Sequence, residues 1–302
     1  MNAPDHVQPF QLDRPNLRGR MVNLGSGIDN IIARHKYPAA VANLLAETVT
    51  LAALLAGMLK YEGIFTLQAK GDGAVTTLVA DITTDGAMRA YAQYDLSKVS
   101  SLSKKATARE LLGNGYIAFT VDQGANSERY QGLVELQGDT LTDFIHHYFR
   151  QSEQIDTAFV IAAQHTTALG WRTGGIMLQR LPEESAPVGT DTEDGWRRAM
   201  MLMSTATPEE LASPALSTND MLYRLFHEEE VRVFTPHELI DRCRCSRERV
   251  EGVMKALGDE DIADLTKDGP AEVRCEFCSR VYTFKAEEIK SLRTSDEPKT
   301  LH

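Results

Sequence analysis

The stretch IFTLQAKGDGAVTTLVADITTDGAMRAYAQYD, residues 64 to 95, decides the fold class. It holds three alternating or β-rich runs parted by Asp72-Gly73 and Asp85-Gly86, dipeptides that accept the backbone angles of tight hairpin turns. Strands joined by such short turns run antiparallel. Downstream, YIAFTVDQGANSERYQGLVELQ (116–137) reads as two further strands and LTDFIHHYFRQSE (141–153) as a helix. TAFVIAA (157–163) and GGIMLQRL (174–181) then read as closing strands. Strands grouped between helices, rather than alternating strictly with them, predict an α+β fold with antiparallel sheets over residues 1–182.

Upstream lies AAVANLLAETVTLAALLAGML (39–59), the longest apolar run. Asn43, Glu47, Thr48 and Thr50 interrupt it, which predicts a helix inside a soluble core and no membrane span. The first twenty residues carry prolines and charges and lack the apolar centre of an export signal, so a cytoplasmic location is expected. With 302 residues, the chain exceeds one comfortable core, and one large domain with smaller units is expected. The formal charge of −11 argues against a general polyanion binder.

Composition changes at Pro182. Residues 183–240 hold 4 basic and 12 acidic residues, yet apolar stripes recur: Trp196, Met200 and Met203, then Met221, Leu222, Leu225 and Phe226. Thr207-Pro208-Glu209-Glu210 is a good helix opening. Helices this short are marginal alone and need a surface to lie on. Two readings stay open: a helical linker that is metastable and docked on a neighbour, or a helical subdomain with its own core.

All four cysteines lie near the end: Cys243 and Cys245 in DRCRCSRERV (241–250), then Cys275 and Cys278. C-x-C followed by C-x-x-C supplies four thiolates in two tight pairs, the donor set of tetrahedral zinc. Residues 241–290 therefore read as a small zinc-binding domain, with 291–302 as a tail. Ser246 is placed to cap a helix bearing Val250, Val253, Met254 and Leu257 and ending at Gly258, and DGPAEVRCEFCSRVYTF (268–284) reads as a turn and hairpin. An inert structural zinc site is one reading. The crowding of Arg242, Arg244, Arg247 and Arg249 favours another, because positive neighbours promote reactive thiolates. A unit of this size has too small a core to stand without its metal.

The cysteine order, the helical linker, and the segments RHKYP (34–38), LQAKGDG (67–73), LVADITTDGAMRAYA (78–92) and TGGIMLQRLP (173–182) together resemble the thirty-three-kilodalton heat-shock protein family of redox-regulated chaperones. The resemblance spans nearly the whole chain, and Cys243, Cys245, Cys275 and Cys278 each match a family zinc ligand. It implies an ATP-independent holdase and no enzyme, inactive when reduced and bound to one zinc ion. Oxidation then pairs Cys243 with Cys245 and Cys275 with Cys278, zinc leaves, and the linker unfolds to expose apolar surface for unfolding proteins. It also implies homodimerisation on oxidation and hand-over of clients to an ATP-driven foldase system.

The alternative is a zinc-dependent nucleic-acid binder. TPHELIDRCRCSRERVEGVMKALG (235–258) can be read as a helix-turn-helix, with Thr235, Pro236 and Glu238 opening the first helix. Residues 241–290 hold 10 basic and 12 acidic residues, however, without the basic surplus such a domain needs, so no nucleic-acid partner is expected. Catalytic signals are weak: Gly25-Ser26-Gly27 lacks the rest of a nucleotide fingerprint, and His146, His147 and His165 have no partner motif. The run His227 to Glu230 reads as a solvated helix end, and His237 as a spare zinc ligand that four thiolates make unnecessary.

Overall fold

The computed structural model describes residues 4–58, 62–124, 130–182 and 192–294. Two compact units divide the chain, Met1–Arg242 and Cys243–His302. The first begins with β1 (His6–Leu12), β2 (Leu17–Leu24), α1 (Ser26–Ala33) and α2 (Ala39–Ala56). The deciding stretch forms β3 (Ile64–Gly71), β4 (Val75–Thr83) and β5 (Ala87–Tyr94), followed by α3 (Leu96–Ser101) and α4 (Ala108–Leu112). Next come β6 (Gly115–Asp122), β7 (Tyr130–Glu135), α5 (Leu141–Tyr148) with a π-helical turn to Glu153, β8 (Thr157–Thr166) and β9 (Gly170–Arg180). Then follow α6 (Thr192–Ser204), α7 (Pro208–Leu211), α8 (Thr218–Phe226) and the short strands β10 (Val231–Val233), β11 (His237–Glu238) and β12 (Ile240–Asp241). The second unit holds α9 (Arg247–Ala256), α10 (Asp259–Leu265), β13 (Ala271–Arg274), β14 (Val281–Phe284) and α11 (Ala286–Thr294).

One sheet of the first unit has the order β10-β1-β2-β9-β8, with β11 also on β1, and the other β12-β5-β4-β3-β6-β7. Among the described pairings in both, all are antiparallel except β12 with β5. The fold is therefore α+β with antiparallel sheets, as the alternation and Asp-Gly turns imply. α2 packs against strands of both sheets. This explains its apolar residues on every side: 78% of a helix long and apolar enough to cross a membrane is buried in the unit's core.

The β10–β8 sheet is covered on both faces. Val22, Leu24 and Met177 join the core around α2, while Phe10, Leu12, Leu17, Met21, Ile176 and Leu178 face a second core. That second core is completed by Ala199 and Met203 of α6, Leu211 of α7, and Met221, Leu222, Leu225 and Phe226 of α8. Burial on both faces is why residues 174–179 read as a continuous run rather than an alternation. The apolar stripes of residues 192–226 thus lie on the sheet, and residues 183–191 of the sequence-defined linker fall outside the described residues.

Two glycines make this docking close. A Cβ at Gly174 would lie 1.9 Å from the Leu211 carbonyl oxygen, where α7 ends on β9. Gly86, with φ +80°, turns β4 into β5, and a Cβ there would meet the Glu238 carbonyl oxygen at 2.1 Å. Its own carbonyl accepts from the Ile240 N–H at 2.9 Å. α7 starts where Thr207 predicts, with the Thr207 hydroxyl accepting from the Glu210 N–H and the Glu210 carboxylate accepting from the Thr207 N–H.

Several sequence expectations are corrected. Residues 231–241 are extended rather than helical, because they pair with β1 and β5, so the first helix of a helix-turn-helix does not form. The run from His227 is not wholly solvated: Glu229 is 2% exposed, and its carboxylate accepts from Arg198 of α6, 3.0 Å at Oε2. Gly258 does not end α9 in a left-handed cap, since its φ is −71°; it precedes α10 instead. Val253 is exposed, while Met254 faces the second unit's core.

Candidate metal centre

The second unit has a small core of Met254, Ile262, Ala271, Tyr282, Phe284 and Ile289. Alternation along β14 (V-Y-T-F) turns Tyr282 and Phe284 inward, and Arg247 lies over the Phe284 ring at 4.4 Å from its centroid. Ser246 caps α9 by accepting from the Arg249 N–H, as its residue type predicts. The hairpin β13–β14 presents Cys275 to Cys278 in its turn. There the Cys275 N–H donates to the Arg280 carbonyl at 2.9 Å, and the Ser279 N–H to the Cys275 carbonyl at 2.8 Å. Ser279 takes the left-handed φ of +58° that reverses the chain.

This geometry brings together all four sequence-predicted site residues. The Sγ atoms of Cys243, Cys245, Cys275 and Cys278 lie within 4.8 Å of one another and can hold a metal ion. Contacts include Cys243 to Cys275 at 3.7 Å and Cys245 to Cys278 at 3.3 Å. Four sulfurs about 2.3 Å from a tetrahedral ion stand about 3.8 Å apart, so the donor set fits zinc in both chemistry and size. His237 is not among these ligands; it sits in β11.

Tyr282 was not singled out by the sequence reading, and its hydroxyl donates to Cys245 Sγ at 3.1 Å. Burial pushes the Cys245 thiol up, but the Tyr282 hydroxyl and the neighbouring thiols draw it down to about 7. Burial raises Cys275 and takes Cys278 to about 12. The expected arginine effect is therefore corrected for Cys245, whose leading perturbers are a hydroxyl and thiols. Two of the crowded arginines have carboxylate partners instead: Arg242 pairs with Asp85, and Arg247 with Glu288 and Glu251.

These directions set a pH dependence. Thiols raised above neutrality must release protons when a metal binds, so affinity rises with pH and falls more steeply below about 7, where Cys245 is also protonated. Titrating Zn²⁺ into reduced, metal-stripped protein at pH 7, in buffers of different ionisation enthalpy, is expected to release about two or more protons per ion. Proton-free uptake would contradict this ordering.

The remaining histidines and the glycine pair are structural in their surroundings. His147 is buried, His146 packs against Phe159, and His165 lies beside Trp171. The N–H groups of Gly25 and Gly27 donate to the Asp5 carboxylate at 2.5 and 2.7 Å, so an internal anion already takes the start of α1.

Fold and site together define a two-unit α+β protein carrying a four-cysteine cluster able to hold a metal ion. A family described as "Hsp33 protein" matches residues 5–285. A 33 kDa chaperonin of Caulobacter vibrioides is 40% identical over 285 residues, covering 92% of this chain and 94% of the relative. That of Pseudomonas fluorescens is 36% identical over 290 residues, covering 95% and 93%. The crystal structure of a 33 kDa chaperonin homologue from Thermotoga maritima superposes with a TM-score of 0.80 at 20% identity, covering 97% of this chain and 99% of that one. The chain belongs to the Hsp33 family.

Proposed function

We propose that this chain is a redox-regulated, ATP-independent holdase that is not an enzyme: inactive while reduced with one zinc ion on the four cysteines, and active once oxidised. One observation carries the reading. The helices α6–α8, in the segment that leads into the cysteine centre, cover an apolar sheet face of Phe10, Leu12, Leu17, Met21, Ile176 and Leu178. Oxidation with peroxide joins Cys243 to Cys245 and Cys275 to Cys278. Each pair of thiolates gives up two electrons and forms one S–S bond, while one peroxide takes those electrons together with two protons from the solvent and becomes two waters. The thiolate donors are thereby consumed, zinc leaves, residues 243–294 unfold, and the linker of residues 183–240 loses its docking. The uncovered apolar face then holds unfolding proteins, which pass to an ATP-driven foldase; the oxidised form is a homodimer. A thiolate metal centre that must remain reduced at rest suits the cytoplasm.

The test is light scattering from a chemically unfolded client diluted into reduced, zinc-loaded protein and, in parallel, into peroxide-treated, mildly warmed protein. Suppression of aggregation by the oxidised sample alone is the expected result. Equal behaviour of the two samples would defeat the switch, leaving the cysteines as a structural metal centre.

A further inference from the structure

The first unit contains a cavity of about 390 Å³ between its two sheets. This lies within the ~300–1,000 Å³ range of small-molecule sites. Its apolar wall is formed by Leu55, Met58, Phe65, Phe119, Val121 and Phe149. Gln123 and two polar groups of opposite character interrupt that wall.

At one, Glu153 accepts from the Tyr130 hydroxyl at 2.8 Å and the Tyr148 hydroxyl at 2.6 Å. Burial and the Glu153 carboxylate hold Tyr148 well above the ordinary phenol range, so both hydroxyls remain donors and the carboxylate is satisfied. At the other, Gln179 is 0% exposed, and its Oε1 accepts from Arg18 Nε at 2.6 Å. Gln179 is itself held, its Nε2 donating to Thr157 Oγ1 at 3.3 Å. The guanidinium is thus fixed in place by a buried amide.

No carboxylate among the described residues pairs with Arg18 or with Arg20, two residues along the same face of β2. Arg20 Nη1 is buried without a hydrogen-bond partner, and burial together with Arg18 draws Arg20 down to about 10. Cationic groups taken from water without a counter-charge are costly. Arg20 stands outside the cavity lining, so the charge there without an ion pair is that of Arg18, while the Glu153 carboxylate already accepts from two hydroxyls. A neutral apolar occupant would leave the guanidinium unpaired. A polyphosphate would find one lining arginine and a mostly apolar wall.

We propose that this cavity binds a medium-chain monocarboxylate, an octanoate- or decanoate-like amphiphile whose alkyl chain lies along the apolar wall and whose carboxylate pairs with Arg18. The acid head points away from Glu153, and the Arg18 terminal nitrogens match the two carboxylate oxygens.

The experiment titrates decanoate, below its micellar concentration, into the reduced full-length chain by calorimetry, with decanol as the neutral counterpart. Saturable one-to-one binding of decanoate is expected, with decanol about tenfold weaker or more. Arg18→Gln should weaken decanoate by about tenfold or more while leaving decanol unchanged. Equal affinity for acid and alcohol, an unaltered decanoate affinity in Arg18→Gln, or no saturable binding would each overturn the proposal. A second measurement needs no variant: the carbon NMR shift of carboxyl-labelled decanoate, followed against pH, should show the bound acid ionised to lower pH than the free acid. A bound acid titrating like the free one overturns the site equally.

Discussion

Replacing Cys278 with serine is expected to abolish stoichiometric zinc retention and to unfold residues 243–294, while the sheets of the first unit stay folded. Among the described residues, the buried cluster of the second unit comprises six side chains, too few to offset the chain entropy of a unit this size. Structural zinc supplies about 10–16 kcal/mol of apparent binding free energy to such modules, and the alcohol of serine is a poor substitute for a soft thiolate. Cys278 lies 3.3 Å from Cys245 and closes the four-sulfur set, so its loss leaves three donors and an open position. Metal content measured against protein, together with amide hydrogen exchange, checks the result. Protection should vanish along β13 and β14 and persist along β2 and β9, whose cores are separate. Full zinc and unchanged exchange in Cys278→Ser would remove this residue from the ligand set.

Arg198→Met should make the reduced protein bind an apolar dye and suppress client aggregation without oxidant. Arg198 of α6 reaches Glu229, whose side chain is 2% exposed, and the pair joins α6 to the turn before β10. Removing the cation leaves a buried carboxylate unpaired. Solvent reaches Arg198, which is 44% exposed, so the effect falls between those of exposed and fully buried pairs, about 2 kcal/mol and thus roughly a thirtyfold larger undocked population. Adding Glu229→Gln should restore much of the docking, because the orphaned charge is then gone. Dye binding and scattering that match the unaltered chain would mean that this pair does not hold the helices on the sheet.

How much of this was legible in the sequence depended on the range of the interaction that shapes each element. β3 and β5 are set largely by alternation, β4 by a β-rich run buried along most of its length, and the turns by Asp72-Gly73 and Asp85-Gly86, all local, and so could be read directly. The cysteines were legible because two tight pairs of one soft donor have few other uses. β1 and β2 were missed: Pro9 sits within one, and Arg18 and Arg20 on the other turn charge toward the interior, contrary to the usual pattern. The two- and three-residue strands β10–β12 carry no readable period and exist only through pairing with β1 and β5. Tyr282 stands 37 residues from the sulfur it contacts, so only the folded hairpin relates them, although the inward alternation of V-Y-T-F was a usable sign.

Those same short strands have a further consequence. β10 and β11 occupy the outer side of β1, β12 occupies the outer side of β5, and Arg34 to Asp241, 2.8 Å at Oδ1, fastens their end to α1. One stretch of eleven residues, 231–241, therefore caps the rims of both sheets. Were it to lift away, two rows of unpaired N–H and C=O groups would open at once, each a template on which an extended foreign strand can hydrogen-bond through its backbone whatever its side chains. Recognition of that kind is indifferent to the sequence of the strand that pairs.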